Sequence, residues 1–170
     1  MMSQLLLHWF RPKPAPAPAP RRRTKRAHRP IDDRYDALVR TMLQRYEIRV
    51  RKWRTSMSGC AWEVHYKDGS VSRLIESPRP RGPMSAAVFL HEIGHHAIGL
   101  GVYTPRCLEE YHAWAWSLRE MEANGFRVTD RVRQRMAQSL AYAVHKARRR
   151  GLKRLPVELE PFTPERVHAR

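Results

Sequence analysis

The order of residue types along the chain predicts an α+β fold: one N-terminal helix, a small three-stranded antiparallel sheet, and then three helices. Three observations carry this reading. Apolar residues recur at helical spacing over 31–46. They then alternate with polar ones on either side of an Asp-Gly pair. Beyond a proline-rich break the helical period returns and holds to about residue 150.

In the first helix Tyr35, Leu38, Val39, Met42, Leu43 and Tyr46 share one face, and Asp32 and Asp33 suit the positive end of the helix dipole. Ile48, Val50 and Trp53 mark an extended basic stretch that Gly59 breaks. Trp62, Val64 and Tyr66 alternate with Glu63 and His65. Asp68-Gly69 is a hairpin turn, and Val71 to Ile75 forms the returning strand. Ser77 to Pro83 is rich in proline and must be loop. The next helix runs from about Met84 to Ile98 and stops at Gly99-Leu100-Gly101. Another covers about Pro105 or Cys107 to Ala123, with Asn124-Gly125 as its stop. The last, near 129–150, puts Val132, Met136, Leu140, Ala143, Val144 and Ala147 on one face, starts with Thr129 or Asp130 as cap, and ends on Arg148-Arg149-Arg150.

Both termini differ in composition from this block. Residues 1–30 form an arm in which alternating Ala and Pro (15–20) precede Arg21, Arg22, Arg23, Lys25 and Arg26. Such a segment favours extended polyproline conformation and repels itself, so no packed structure is expected. Residues 31–150 are the folded domain, and 151–170, with prolines at 156, 161 and 164, read as a loosely attached basic tail. The whole chain has 170 residues and a net charge of +17, an excess that favours weak, salt-sensitive contact with nucleic acid through the arm. Cys60 and Cys107 do not form a Cys-x-x-Cys pair, and two cysteines are too few for a disulfide framework, which fits a reducing cytoplasm. The Leu5-Leu6-Leu7 run is too short for a signal core or a membrane span, so a soluble, cytoplasmic protein is expected.

The strongest chemical signal is His91-Glu92-Ile93-Gly94-His95. On a helix, residues four apart are one turn plus about 40° apart, so both imidazoles project from one face roughly 6 Å apart along the axis. Two nitrogens so placed can meet one Zn²⁺ at bonds of about 2.0–2.1 Å. Glu92, turned about 100° from His91, can stand beside the ion without ligating it and take a proton from water. Phe89, Leu90, Ile93 and Ala97 can anchor the other face, and Gly94 leaves room for a close neighbour. A catalytic zinc needs a third protein ligand. An extended motif with a His six residues on is absent, because that position is Gly101. The following helix offers Glu110, Glu109 and His112. Glu110 shares a stripe with Ala113, Trp114, Ser117 and Met121, which can pack on the metal helix. Glu109 shares the more polar stripe of His112, Trp116 and Glu120 and is expected to be solvated. Tyr103, Arg106, Tyr111 and His112 are candidates for donating to a developing oxyanion.

At His91-Glu92-Ile93-Gly94-His95-His96, followed by Glu109-Glu110-Tyr111-His112-Ala113-Trp114-Ala115, the chain resembles the ImmA/IrrE-type gluzincin metallopeptidases of bacteria and their mobile elements. The resemblance spans roughly 45–125. It implies a minimal zincin-like domain, a Zn²⁺ cofactor, a protein or peptide substrate, His91, His95 and Glu110 as ligands, and Glu92 as the catalytic carboxylate. Tyr111 and His112 stand where the family carries small and amide residues. Two other readings accompany this one: a nucleic-acid-associated binding protein with a structural metal site, and a protease tethered to DNA, similar to the SprT-like proteases, which share H-E-x-x-H but use a third His.

Overall fold

The computed structural model describes residues 29–163. The arginine- and lysine-rich block of the arm, Arg21, Arg22, Arg23, Lys25 and Arg26, lies outside the described residues, as does the end of the tail. In chain order the elements are α1 (Pro30–Arg45), β1 (Ile48–Arg54), β2 (Cys60–His65), β3 (Val71–Pro78), α2 (Pro83–Ile98), α3 (Arg106–Ala123), α4 (Asp130–Arg149) and a short 3-10 helix, Val157–Phe162. Among the described residues no helix is long and apolar enough to cross a membrane.

The α+β class and every expected helix are present. The expected antiparallel sheet is not. The strand order is β1-β3-β2: β2 pairs with β3 antiparallel, but β1 pairs with β3 in parallel. The side chains account for the order. In β3 the stretch from Ile75 to Pro78 is buried, and Ile75 is wholly so, which suits the central strand of the sheet. β1 carries Arg49, Arg51, Lys52 and Arg54, cations suited to an edge strand because they oppose further pairing. A register shift between Val50 and Lys52 accommodates Arg51. The predicted hairpin joins β2 to β3. Asp68 accepts from Ser70 N–H at 2.9 Å and from its hydroxyl at 2.7 Å, and Gly69 takes the positive φ of 84° that the turn requires.

α2 is the hub. It packs on β3 and β2 on one side and on α3 on the other, with α4 and α1 touching it as well. Every residue from Ser85 to His96 is buried. Over this stretch the helix has no exposed residue, and its polar residues must find partners inside the protein or at a cleft. Gly94 makes the contact with α3 possible: a Cβ there would lie 2.8 Å from Ala113 O and 3.1 Å from the Trp116 ring. His96 fixes the other side, with Nε2 3.1 Å from Leu74 O of β3. α4 is different in kind. Its 20 residues bury only Val132, Leu140 and Val144, and Thr129 caps it by accepting from Val132 N–H at 3.4 Å. The segment after α4 corrects the expectation of a loose tail. Leu159 of the 3-10 helix is fully buried, and that helix packs on α4 and α3.

Candidate metal centre

Three side chains from two helices converge. One donor atom each of His91, His95 and Glu110 lies within 4.8 Å of the other two. Glu110 Oε2 is 3.3 Å from His91 Nε2 and 3.7 Å from His95 Nε2. A tetrahedral zinc with bonds of about 2.0–2.1 Å spaces its ligands about 3.3–3.4 Å apart; the donor types suit zinc, and the shorter of the two carboxylate–imidazole distances equals that spacing. The two imidazole rings meet edge to face at 4.7 Å, as the i, i+4 spacing on α2 requires. The close α2–α3 approach at Gly94 brings Glu110 over them.

Glu109 corrects its sequence assignment. It is not solvated but only 1% exposed. Its Oε1 lies 2.9 Å from His95 Nδ1, and its Oε2 accepts from Gly101 N–H at 3.0 Å. With Nδ1–H donating to Glu109, His95 presents Nε2 to Glu110. A carboxylate behind a ligating imidazole fixes its tautomer and ring orientation. Polar helix stripes usually face water; here the loop at Gly101 closes over Glu109, which helical periodicity could not reveal. Arg106 ties the two carboxylates together at 3.3 Å from each.

The electrostatics sort the roles. Burial pushes His91 down to about 4, keeping it neutral with a lone pair available. Burial also opposes charge on His95, but the Glu109 and Glu110 carboxylates outweigh it and hold the imidazole at about 9. Burial favours protonation of Glu110, yet its contacts with the His91 and His95 rings hold it well below the usual carboxylate range. Glu92 has no such partner, and burial pushes its carboxyl up to about 7. A coordinating imidazole must be neutral, so His95 loses its proton when an ion takes the site.

His91, Glu92 and Glu110 open onto a cleft of about 1000 Å³ whose walls come from Ser58 and Gly59, the start of α3, and α4. Glu92 lies outside the converging triad, as its rotation about the helix predicts. Gly59 is pressed against it: a Cβ there would stand 2.5 Å from Glu92 Cγ and overlap the carboxylate. The loop is held by Arg54, which donates to Ser58 Oγ at 3.2 Å and to Glu76 Oε2 at 3.0 Å. Sequence reading registered Gly59 only as a strand breaker. Of the four oxyanion candidates only Arg106 lines the cleft. Tyr103 and His112 stack on each other at 4.0 Å, and Tyr111 packs towards Phe162. His112 is therefore occupied away from the triad. Trp114 is core, 2% exposed, and stacks on His91 at 4.4 Å.

The fold and site together define an α+β domain with a candidate His-His-Glu metal site, two of whose members, His91 and Glu110, line a cleft. No family model, curated protein or solved structure matches the chain.

Proposed function

We propose that the chain is a zinc-dependent metallopeptidase of the gluzincin kind, similar to the ImmA/IrrE-type enzymes. The observation that carries the reading is the convergence of His91, His95 and Glu110 beside a separate buried carboxylate, Glu92, on one open cleft. His91 and His95 through Nε2, and Glu110 through Oε2, would hold the ion. Bound zinc supplies Lewis acidity, acidifying water to a pKa of about 7 and polarising a carbonyl. Glu92 takes the proton from the attacking water and delivers it to the leaving amine. A carboxyl pushed towards neutrality by burial suits both transfers. Glu109 orients His95, and Arg106, which lines the cleft, would donate to the developing oxyanion through a guanidinium N–H outside its ion pairs with Glu109 and Glu110.

Three protein donors and an open side favour catalysis over a structural metal, which is normally enclosed by four ligands. The placement of His112 against Tyr103 favours Glu110 over a third histidine, and so the gluzincin reading over a SprT-like one. Free Cys60 and Cys107 are compatible with a cytoplasmic protein. The test is Glu92→Gln. The variant should keep about one zinc per chain by elemental analysis and lose about 10²–10⁴-fold in hydrolysis of a quenched peptide library. Equal rates for the two forms would reject Glu92 as the base. Metal-free protein purified without chelator would reject the metal.

A further inference from the structure

The cleft has a second wall that the chemistry above does not use. α4 contributes Arg135, Gln138, Ser139, Tyr142 and Lys146 to it, and Arg150, which caps the helix, continues the line; these positions recur at helical spacing and so form one stripe. Lys146 and Arg150 are exposed and pair with no carboxylate among the described residues. Arg135 spans to the opposite wall, where it donates to Met57 O at 3.1 Å, and its Nε is buried without a partner. The carboxylates lining the cleft are Glu92 and Glu110, both committed to the metal site. Tyr142, 67% exposed, gives the stripe its large aromatic surface.

Resting on the peptidase reading, we propose that this wall selects the substrate: the cleft takes an extended peptide whose acidic side chains lie along α4, on Arg135, Lys146 and Arg150. From 135 to 150 a helix rises about 22 Å at 1.5 Å per residue. An extended peptide covers that length with about seven residues at roughly 3.3 Å each, so the track matches a short stretch of substrate flanking the cut. Charge complementarity then supplies selectivity and faster encounter. Single-stranded nucleic acid fits less well. Its bases need a succession of exposed rings, while the stripe exposes one, and Trp114 is buried under His91.

The experiment uses the full chain, zinc-loaded and carrying Glu92→Gln so that bound peptide survives, with and without Lys146→Glu and Arg150→Glu together. The arm is the same in both proteins and cancels in the comparison. Fluorescence anisotropy is read with an Asp/Glu-rich peptide of about seven residues, a neutral peptide of equal length, and a single-stranded oligonucleotide of matched charge. The reversal should weaken the acidic peptide about tenfold or more, since each exposed pair is replaced by a repulsion, and leave the neutral peptide, the zinc content and the melting temperature unchanged. Unchanged affinity for the acidic peptide overturns the proposal. A larger loss for the oligonucleotide than for the peptide also overturns it and assigns the track to nucleic acid. Charge-dependent peptide binding by a protein that holds no zinc supports the track and overturns the metallopeptidase reading alone.

Discussion

α2 and α4 are both helices of ordinary length, yet they serve opposite purposes. α2 is buried from Ser85 to His96, with His91, Glu92, His95 and His96 among Phe89, Leu90 and Ile93, and meets the cleft only at Val88, His91 and Glu92. α4 buries only Val132, Leu140 and Val144, and it turns cations and Tyr142 to a cleft. In α2 a polar residue is costly unless it has a task or a partner, so its polar residues announce themselves in the sequence. In α4 polar residues are the default, and nothing local distinguishes those that line the cleft from those that meet water.

This contrast sets the order of expected effects. Phe89→Ala removes a fully buried ring from the hub and should cost about 3–5 kcal/mol, measured as a lower denaturation midpoint in urea. A loss under about 1 kcal/mol would mean that α2 is not the hub. Glu110→Ala should weaken zinc binding well beyond the roughly 10–100-fold expected for Glu109→Ala, which only disorients His95. Competition with a chelating dye checks this, and equal losses would remove Glu110 from the ligand set. Gly94→Ala should destabilise by about 1–3 kcal/mol through overpacking against Ala113 and Trp116, and should also loosen zinc by shifting Glu110. Gly59→Ala should leave zinc bound while lowering peptide hydrolysis, because the added methyl displaces Glu92; unchanged turnover would show that the loop yields at no cost to the carboxylate. At the bottom of the scale, Tyr142→Ala on α4 should move stability by no more than about 0.5 kcal/mol. A larger change by thermal melting would make that face structural, and the comparison with α2 would fail.

The particular elements show what could be read and what could not. The helix ends were legible because Gly99, Gly125 and Thr129 have local backbone or capping roles. The β2–β3 hairpin was legible because Asp68-Gly69 fixes its own turn. The pairing of β1 was not. Short strands close in sequence suggest neighbouring antiparallel partners, but β3, with the most buried residues, takes the centre and sends the cationic β1 to an edge. Glu109 was misread for a similar reason: helical periodicity reports which residues share a stripe, and only the fold decides what covers that stripe.

By itself, then, the sequence determined the helices and the hairpin, and it nominated His91, Glu92, His95 and, from its stripe on the next helix and the resemblance, Glu110. The helices, the hairpin and the His91-Glu92-His95 set depend on spacings of a few residues, which local backbone geometry fixes without help. The tertiary structure alone decided the parallel β1–β3 pair, the seating of Leu159, the placing of Glu109 behind His95, the pressure of Gly59 on Glu92, and the joining of α4 to the candidate metal site across one cleft. Each of these is a contact between segments distant in the chain. It is set by which surfaces bury one another, a condition on the whole molecule that no local pattern of residues encodes.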